Sequence, residues 1–488
     1  MQVPESKASR GLFIFLSIGA AGILAVIGLF AAKGYADIFS SYKLLFLAAS
    51  LIAIAGIILI GMKVDWGNQL SQKAFIILII ILTLAPRLFW ILSVRTAPFS
   101  DFLHMQNYGA AVSRGEFTNY VDFYSLSPFK FGFGFVMGGI YWLFGPDPLV
   151  AGIFNVFLSV FQVWLVYLIT REIRPDAARA AALFYALWPA QIMYCTLVAA
   201  ENTFLVFFLA AIYVFIRYAK YHTGDKKGYA LLVLTGGLMA LAQAMRPTGM
   251  ILIPVIAIFV LFYVSYHKQR LRNLLKQVLC ILIAAVSYYA VLKLISVPIK
   301  DLSGIDLTRS GSGYYLMVGT NYEANGMFNW KDFYFMRDHN FDFDVVHSEA
   351  TRLAIQRIEE DPVRFLKLVV KKINFQWGKE NYGYYWSTIS ADSGNAVENT
   401  IKLHPRVFYA GSQLYYLIIL LLGIIGCYWA YKNKNYYPVI LYLILGGLFL
   451  AYFFLEVQSR YHITAVPLLI IPAALGALEI KSMHFRVK

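Results

Sequence analysis

Residues 74–93 read AFIILIIILTLAPRLFWILS and carry a single charge, that of Arg87. A helix of about 20 apolar residues is long enough to cross the hydrocarbon core of a bilayer. Comparable apolar runs recur along the chain, which is 59% hydrophobic and 14% charged. Soluble domains carry about 25% charged residues. The sequence therefore predicts an all-α polytopic membrane protein.

About twelve membrane-spanning helices are predicted from these apolar runs. The first follows Lys7 and Arg10 and is long for the apolar part of a signal peptide, so we expect it to be retained as a helix. The predicted spans lie near residues 11–32, 43–62, 74–93, 149–170, 180–197, 203–219, 229–245, 248–266, 277–297, 407–430, 436–455 and 463–480.

Lysine and arginine residues predict the orientation of the chain. With the N-terminus inside, the inner connections carry 20 of these residues and the short outer connections carry 7. The positive-inside rule then predicts a multi-pass protein of the cell membrane with both termini cytoplasmic. The net charge of +15 fits orientation and anionic headgroups, and it does not indicate a nucleic-acid partner.

The predicted topology divides the chain into three parts. Residues 1–297 form a transmembrane catalytic region with a large outer loop at 94–148, residues 298–406 form a small mixed extracytoplasmic domain, and residues 407–488 form the C-terminal transmembrane helices. The apolar run Phe131–Phe144 is short, so we expect it to stay on the outer side as a re-entrant or interfacial segment. The apolar spacing of Val363, Leu366, Val370, Ile373 and Trp377 predicts an amphipathic helix, which fits the outer headgroups and the domain's own core about equally.

The first outer loop contains the best candidate for acid–base chemistry. Ser100 is a good helix-capping residue, which predicts a short helix beginning at Asp101. Asp101, His104 and Tyr108 would then share one face, and a carboxylate in such a setting suits a general base. The alternative is that Asp101 only stabilises the helix dipole, and spacing alone favours this alternative.

The order of these features resembles the GT-C glycosyltransferases, in particular the protein O-mannosyltransferases and the bacterial lipid A aminoarabinose transferases. A span is followed by the loop acid Asp101, a short helix, a Tyr124…Pro128…Gly132 stretch and an apolar helix closing at Gly145. Two departures stand out: two additional helices precede this span, and Phe102 occupies the position where many members have a second acid. Other parts that fit are Trp188-Pro189, Ala200-Glu201-Asn202, Gly319 to Gly326, Asp361-Pro362 and Glu456-Val-Gln-Ser-Arg460-Tyr461.

The resemblance implies a GT-C-like helix bundle with outer-face juxtamembrane helices, and a donor that is a sugar on a polyprenyl monophosphate. An acceptor hydroxyl attacks the anomeric carbon with inversion, and the lipid phosphate leaves. Asp101 is then the catalytic base, with Glu201 and Asp122 next in line. The donor phosphate is expected to bind Arg460, Arg246 and Lys130, and the substrates are expected to contact His104, Tyr108, Glu201 and Tyr461.

Each of these assignments has a plainer alternative. Arginines at the outer ends of helices often anchor a protein at the interface, and Glu201 could be a solvated turn residue. Arg87 and Lys293 lie within spans near their outer ends, where snorkelling to the headgroups is expected. The three cysteines form no CxxC pair, so we predict no metal site and no cofactor, with metal dependence left open.

Two other functions compete with a glycosyltransferase. A flippase or transporter for lipid-linked glycans shares the twelve-helix layout, but the polar candidates cluster at the outer face and the two halves show no similarity. A polymerase or ligase that uses a lipid diphosphate donor would share the basic outer pocket. The acceptor is left open as a cell-envelope glycan, a lipid or a protein.

Overall fold

The computed structural model describes residues 7–39, 70–119, 126–264, 270–309 and 311–486. The predicted span 43–62 and the reserve carboxylate Asp122 lie outside the described residues. The described part is built from α-helices, which in chain order are α1 (Lys7–Ile38), α2 (Gln72–Ser93), α3 (Ser100–Ser113), α4 (Phe129–Phe144), α5 (Pro148–Ile173), α6 (Ala178–Ala186), α7 (Pro189–Tyr194), α8 (Glu201–Tyr221), α9 (Lys226–Met245), α10 (Leu252–Tyr263), α11 (Arg270–Ser303), α12 (Gly313–Gly319), α13 (Trp330–Asp338), α14 (Phe343–Glu360), α15 (Pro362–Trp377), α16 (Tyr382–Thr388), α17 (Ala396–Leu403), α18 (Pro405–Lys432), α19 (Val439–Phe454) and α20 (Val466–Arg486). Short 3-10 helices cover Pro175–Ala177, Pro247–Ile251 and Ser459–Ala465.

Eight helices in the described residues are long and apolar enough to cross a membrane, which confirms a multi-pass membrane protein. They comprise α1, α2, α5, α8, α9, α11, α18 and the unit Ser459–Ser482. Three further apolar helices are shorter: Phe129–Phe144, Pro247–Tyr263 and Val439–Phe454. The predicted count of twelve is therefore not reproduced in this part of the chain.

The predicted span 180–197 is wrong as a continuous helix. It breaks between α6 and α7, where Pro189 opens the second piece. Proline lacks the N–H that an uninterrupted helix needs at this point. At this break, the carbonyl oxygen of Ala186 accepts a hydrogen bond of 2.7 Å from Arg87 Nη1.

This contact also corrects the expectation for Arg87. Its side chain is fully buried in the bundle, and Nη1 donates a second bond to Thr83 O at 3.0 Å. Arg87 therefore bridges two helices instead of snorkelling to the headgroups. Lys293, by contrast, is exposed and lies 3.9 Å from the Asp306 carboxylate beyond the end of α11.

Residues 298–406, predicted to form a small mixed extracytoplasmic domain, contain helices joined by loops and turns, and no strand of more than one residue occurs in their described part. An isolated bridge joins Thr96 to Ala391. Side chains that accept from backbone N–H groups start four of the helices in this region, at Asn329, Asp342, Asp361 and Asn395. Residues of α12, α13 and α14 surround a small core of their own, which Leu126 from the first outer loop completes.

Helix α15 ends at Trp377 as predicted, and its burial pattern bears on the two alternatives for it. Leu368 and Trp377 are buried against the protein. Val363, Leu366 and Val370 remain 62%, 64% and 54% exposed, although they share one face of the helix. The first part of the predicted apolar face, at Val363, Leu366 and Val370, is therefore uncovered, whereas Ile373 and Trp377 at its end pack in the main core. Each of the two alternatives accounts for part of this helix.

Candidate active site

Asp101 lies in the first turn of α3, close to the end of the membrane helix α2. The residue before the helix is Phe99, in an extended conformation, and no side chain caps the helix. The predicted cap by Ser100 is therefore wrong, because Ser100 is already the first helical residue. Asp101 does occupy the first helical turn, where its charge favours the helix dipole, but it also has partners outside the helix.

Two cations face the two oxygens of the Asp101 carboxylate. Arg460 Nη2 donates to Oδ2 at 2.7 Å, and Lys130 Nζ lies 3.7 Å from Oδ1. The Asp101 side chain is 30% exposed, whereas those of Arg460 and Lys130 are 7% and 14% exposed. The structure therefore brings together three predicted site residues, which belong to α3, α4 and the 3-10 helix before α20. Solvent reaches this cluster on the side where Asp101 lies.

Aromatic rings hold the guanidinium of Arg460 in place. Its central carbon lies 4.8 Å from the ring centre of Phe102, 4.9 Å from that of Trp386 and 5.6 Å from that of Tyr461. Such contacts fix the plane of the guanidinium and stabilise its charge. Its Nε is buried and has no hydrogen-bond partner. Arg460 thus retains donor capacity in a defined direction.

The electrostatics of α3 follow from these neighbours. Burial alone would raise the pKa of Asp101, but the charges of Lys130 and Arg460 outweigh it and hold the pKa well below its ordinary value. Burial, and then the charge of Lys130, lower the pKa of His104. At neutral pH the site therefore contains an ionised Asp101 and a neutral His104.

A second ion pair borders this cluster. Arg246 donates from Nη1 to the Glu201 carboxylate, and its guanidinium lies 5.7 Å from the Tyr461 ring centre. Tyr461 therefore contacts both Arg246 and Arg460. Glu201 is only 4% exposed, so it is not a solvated turn residue. The Nε of Arg246 is buried without a partner, as in Arg460.

Tyr108 lies apart from the open side of the site. Its ring packs at 4.9 Å from Phe131, and its hydroxyl donates to Phe117 O at 3.2 Å. A side chain at Gly134 would collide with this ring. The predicted face of α3 exists, but it is turned towards α4, and only its first turn reaches the open site. The structure gives Tyr108 a role in helix packing.

Sequence reasoning missed two contributors to the site. Trp386 of α16 covers Arg460, although nothing in its sequence position indicates this. Glu456 lies four residues before Arg460 and is 7% exposed. Its carboxylate accepts from the Tyr461 hydroxyl at 3.2 Å. The spacing of Glu456 and Arg460 was a visible signal, since both belong to one polar segment between apolar helices.

Residues 130–292 match the family described as dolichyl-phosphate-mannose-protein mannosyltransferase. This match confirms the predicted GT-C resemblance. It covers Lys130, Glu201 and Arg246 of the candidate site, and it supports the predicted enzyme class, a glycosyltransferase. No curated protein matches the full sequence.

Three solved structures to which this chain shows low similarity are the following. The S. cerevisiae protein O-mannosyltransferase Pmt1-Pmt2 complex bound to the sugar donor is 16% identical over 51% of this chain and 36% of that chain, with a TM-score of 0.41. The Archaeoglobus fulgidus oligosaccharyltransferase in the apo form is 16% identical over 87% and 52%, with a TM-score of 0.49. ArnT from Cupriavidus metallidurans bound to undecaprenyl phosphate is 13% identical over 83% and 78%, with a TM-score of 0.31. The chain spans about half or less of the length of the first two.

Proposed function

We propose that this protein transfers a sugar from a polyprenyl-phosphate donor to an acceptor hydroxyl at the outer face of the membrane. The observation that carries the proposal is the contact of Asp101 with Arg460 and Lys130. These residues come from three separate segments, and Asp101 and Arg460 are 359 positions apart in the chain. An open carboxylate beside two largely buried cations supplies a base and a phosphate site within a few ångströms.

Arg460 is the proposed main ligand of the donor phosphate. A guanidinium can bind two phosphate oxygens with a planar fork, and the aromatic rings around it fix the plane of that fork. Lys130 adds a point charge on the same side. Arg246 is held by Glu201 next to Tyr461, which suits a supporting role at the edge of the phosphate site.

The pairing of Asp101 with these cations implies an order of events. While Arg460 and Lys130 contact the carboxylate, Asp101 is a poor base, since its pKa is held far below neutral. A donor phosphate competes for the same two cations. When it binds, the negative charge of the phosphate raises the basicity of Asp101. The acceptor hydroxyl is therefore activated only after the donor has bound.

In the transfer step, Asp101 takes the hydroxyl proton as the acceptor oxygen forms a bond to the anomeric carbon. The bond from that carbon to the phosphate oxygen breaks, and its electron pair leaves with the polyprenyl phosphate. Arg460 and Lys130 stabilise the charge that develops on the leaving group. Attack opposite the leaving group inverts the anomeric configuration. His104 and Tyr461 border the space available to the sugar and the acceptor.

The family description supports the choice of donor, because dolichyl phosphate mannose is a sugar on a polyprenyl-type monophosphate. The test is to incubate the purified protein with polyprenyl-phosphate sugars and with polyprenyl-diphosphate sugars. We expect release of polyprenyl monophosphate from one of the first group. Exclusive consumption of a diphosphate donor would identify a polymerase or ligase instead. Movement of intact donor across vesicles without consumption would identify a flippase. Activity in EDTA tests the prediction that no metal cofactor is needed.

The location of the site is tested by cysteine labelling in intact cells. We propose that both termini are cytoplasmic and that residues 298–406 lie outside. The native cysteines Cys195, Cys280 and Cys427 are all buried, which keeps the background low. A cysteine at Asn325 should react with an impermeant reagent, and one at Lys226 should not. The opposite pattern would place the site on the cytoplasmic face.

The same labelling tests whether α4 crosses the membrane. Lys130 at its start lies near Asp101, and Pro146 O just after its end accepts from Gln106 of α3 at 2.8 Å. Both ends of α4 therefore contact one short helix, which supports a segment that stays on the outer side. A cysteine at Asp147 should then be labelled from outside.

A further inference from the structure

Glu456 belongs to the short segment between α19 and the 3-10 helix that carries Arg460. The backbone of this segment is fixed from both sides. Glu456 N donates to Tyr315 O at 2.9 Å, and Val457 N donates to Gly326 O at 2.9 Å. The position of the Glu456 side chain is therefore set by the extracytoplasmic helices as well as by the membrane bundle.

The carboxylate of Glu456 points into the site. Its Oε1 accepts from the Tyr461 hydroxyl at 3.2 Å and from Gln458 Nε2 at 3.4 Å. Tyr461 in turn lies against Arg460 and Arg246. Glu456 is thus connected through one phenol to both guanidinium groups proposed to face the donor phosphate.

Titratable groups from six elements interact electrostatically with this carboxylate. The charged ones are Asp101, Lys130, Arg460 and Lys372. The phenols are Tyr314, Tyr315, Tyr452 and Tyr461.

Lys372 is hydrogen-bonded to groups other than Glu456. Its Nζ donates to the carbonyl oxygens of Gly319 at 2.7 Å and Phe453 at 2.8 Å. It therefore ties α15 to the end of α19, and it does not share the Glu456 proton. Burial lowers its pKa to about 7 despite the Glu456 charge, so it titrates in the same range and needs a control of its own.

The two carboxylates of the site differ sharply in basicity. Burial, and then the charge of Asp101, raise the pKa of Glu456 to about 7. The pKa of Asp101 is held far below its ordinary value by Lys130 and Arg460 against the effect of burial. Two acids whose environments drive their pKa values apart usually have different roles in proton transfer.

We propose that Glu456 is the second carboxylate of this site and receives, through Asp101, the proton that the acceptor hydroxyl loses. The proposal rests on the proposed function. Glu456 acts through Asp101, so it is a positioning and proton-accepting residue that need not touch the substrate.

The proton balance of the step is complete. The acceptor O–H bond breaks, its proton passes by way of Asp101 to Glu456, and the acceptor oxygen bonds to the anomeric carbon. The electron pair of the broken carbon–oxygen bond leaves on the phosphate. Glu456 then returns the proton to solvent or to the released phosphate, and Asp101 is again ionised beside Arg460.

The test is a pH profile of kcat/KM for the donor, which reports the groups of the free protein, for the wild type and for Glu456→Gln, with Glu349→Gln on α14 as an exposed carboxylate control. Only ionised Glu456 can accept a proton, so the wild-type rate should fall as the pH drops below about 7. In Glu456→Gln this acidic limb of the pH profile should be absent, and kcat should be lower on the order of 10²-fold, with the donor KM unchanged. The control should keep the wild-type profile. Lys372→Met should keep the limb, which separates the two groups.

If Glu456→Gln fails to fold, Glu456→Asp provides the same readout. A shorter and intrinsically more acidic side chain should move the limb to lower pH. If Glu456→Gln kept the acidic limb and the rate of the wild type, or if the limb in Glu456→Asp did not move, the proposal would be overturned while the transferase function stayed intact. A wild-type protein that consumes no polyprenyl-phosphate sugar would overturn the proposed function first.

Discussion

Two acid–base pairs share the 3-10 helix Ser459–Ala465 and lie only two residues apart. Arg460 contacts Asp101, and His462 contacts Glu380 at 2.6 Å. The first pair has an acid that is 30% exposed, whereas both members of the second are fully buried. One short segment therefore carries both an open pair and a sealed pair.

The sealed pair is saturated by protein groups. His462 Nδ1 donates to Gln376 O at 2.6 Å, and Trp188 Nε1 donates to the Glu380 carboxylate at 2.7 Å. Because a carbonyl oxygen only accepts, Nδ1 must carry a hydrogen, and one further proton lies between Nε2 and Glu380. The rings of Trp377 and Tyr416 stack on the imidazole. Both side chains are 0% exposed, so solvent does not reach this pair.

The open pair differs in what it leaves unfilled. Asp101 reaches solvent, and Arg460 keeps a buried Nε without a partner. The solvent exposure of Asp101 is what distinguishes the two pairs, because unpartnered buried polar atoms also occur near the sealed pair, on Tyr382 and Tyr416. The sealed pair is suited to stabilising the fold around the break at Trp188, whereas the open pair is the one proposed to bind substrate. Substitutions can separate these roles.

The largest effect is expected for the open acid. Asp101→Asn keeps the shape of the side chain but cannot take a proton at neutral pH. General base catalysis contributes about 10²–10⁴-fold, so kcat should fall by that amount in a donor-turnover assay. Thermal unfolding should stay close to wild type, and donor binding should be retained or tightened, because the neutral Asn competes less for Arg460 and Lys130. Near-normal turnover would move the base to another residue, and failure to fold would show that the first-turn position of Asp101 matters more than its chemistry.

The sealed acid should show the opposite pattern. Glu380→Gln removes the charge that His462 and Trp188 share, and breaking a buried pair costs about 3–5 kcal/mol. We expect a clear drop in thermal stability in detergent, with turnover per folded molecule retained. Unchanged stability combined with lost turnover would contradict the division between the two pairs.

A smaller effect is expected when the open pair keeps its charge and loses its geometry. Arg460→Lys retains a cation near Asp101 but not the planar fork. Since removing a donor to a developing charge costs about 10²–10³-fold, we expect a milder loss of roughly 10-fold in kcat/KM for the donor. Equal activity of Arg460→Lys and wild type would mean that only the positive charge at this position matters for donor binding and turnover.

The smallest effect should come from a pair that is neither sealed nor functional. Glu349 and Arg352 on α14 form an exposed pair at 2.8 Å, one helical turn apart. Glu349→Gln should change the free energy of unfolding by no more than about 0.5 kcal/mol and leave turnover unchanged. A larger change in either measurement would show that exposure is a poor guide to function in this protein.

The membrane character and the long helices could be predicted from the sequence because apolar runs report directly on bilayer depth. The break between α6 and α7 was signalled by Pro189 and was nonetheless predicted to lie inside a span. The burial of Arg87 could not be predicted, since it depends on a carbonyl freed by that break almost 100 residues away.

Within the site, Asp101, Lys130 and Arg460 were identified from their positions at helix ends and from the family resemblance. Their mutual pairing, and the closed arrangement of Arg246 with Glu201, depend on tertiary packing that a single sequence does not report. Glu456 was visible in the same segment as Arg460, but only its burial and its contact with Tyr461 distinguish it from a solvated carboxylate. Tyr108 shares the predicted helix face, yet close packing against Gly134 gives it a different role.

The distance in sequence between Asp101 and Arg460 has a consequence for biosynthesis. The acid emerges from the ribosome early, and its guanidinium partner follows 359 residues later. A nascent chain therefore holds the Asp101 carboxylate with Lys130 but without Arg460 through most of translation. Until the segment before α20 is inserted, the ribosome-bound protein has no phosphate site of this design and should be unable to discharge a donor lipid.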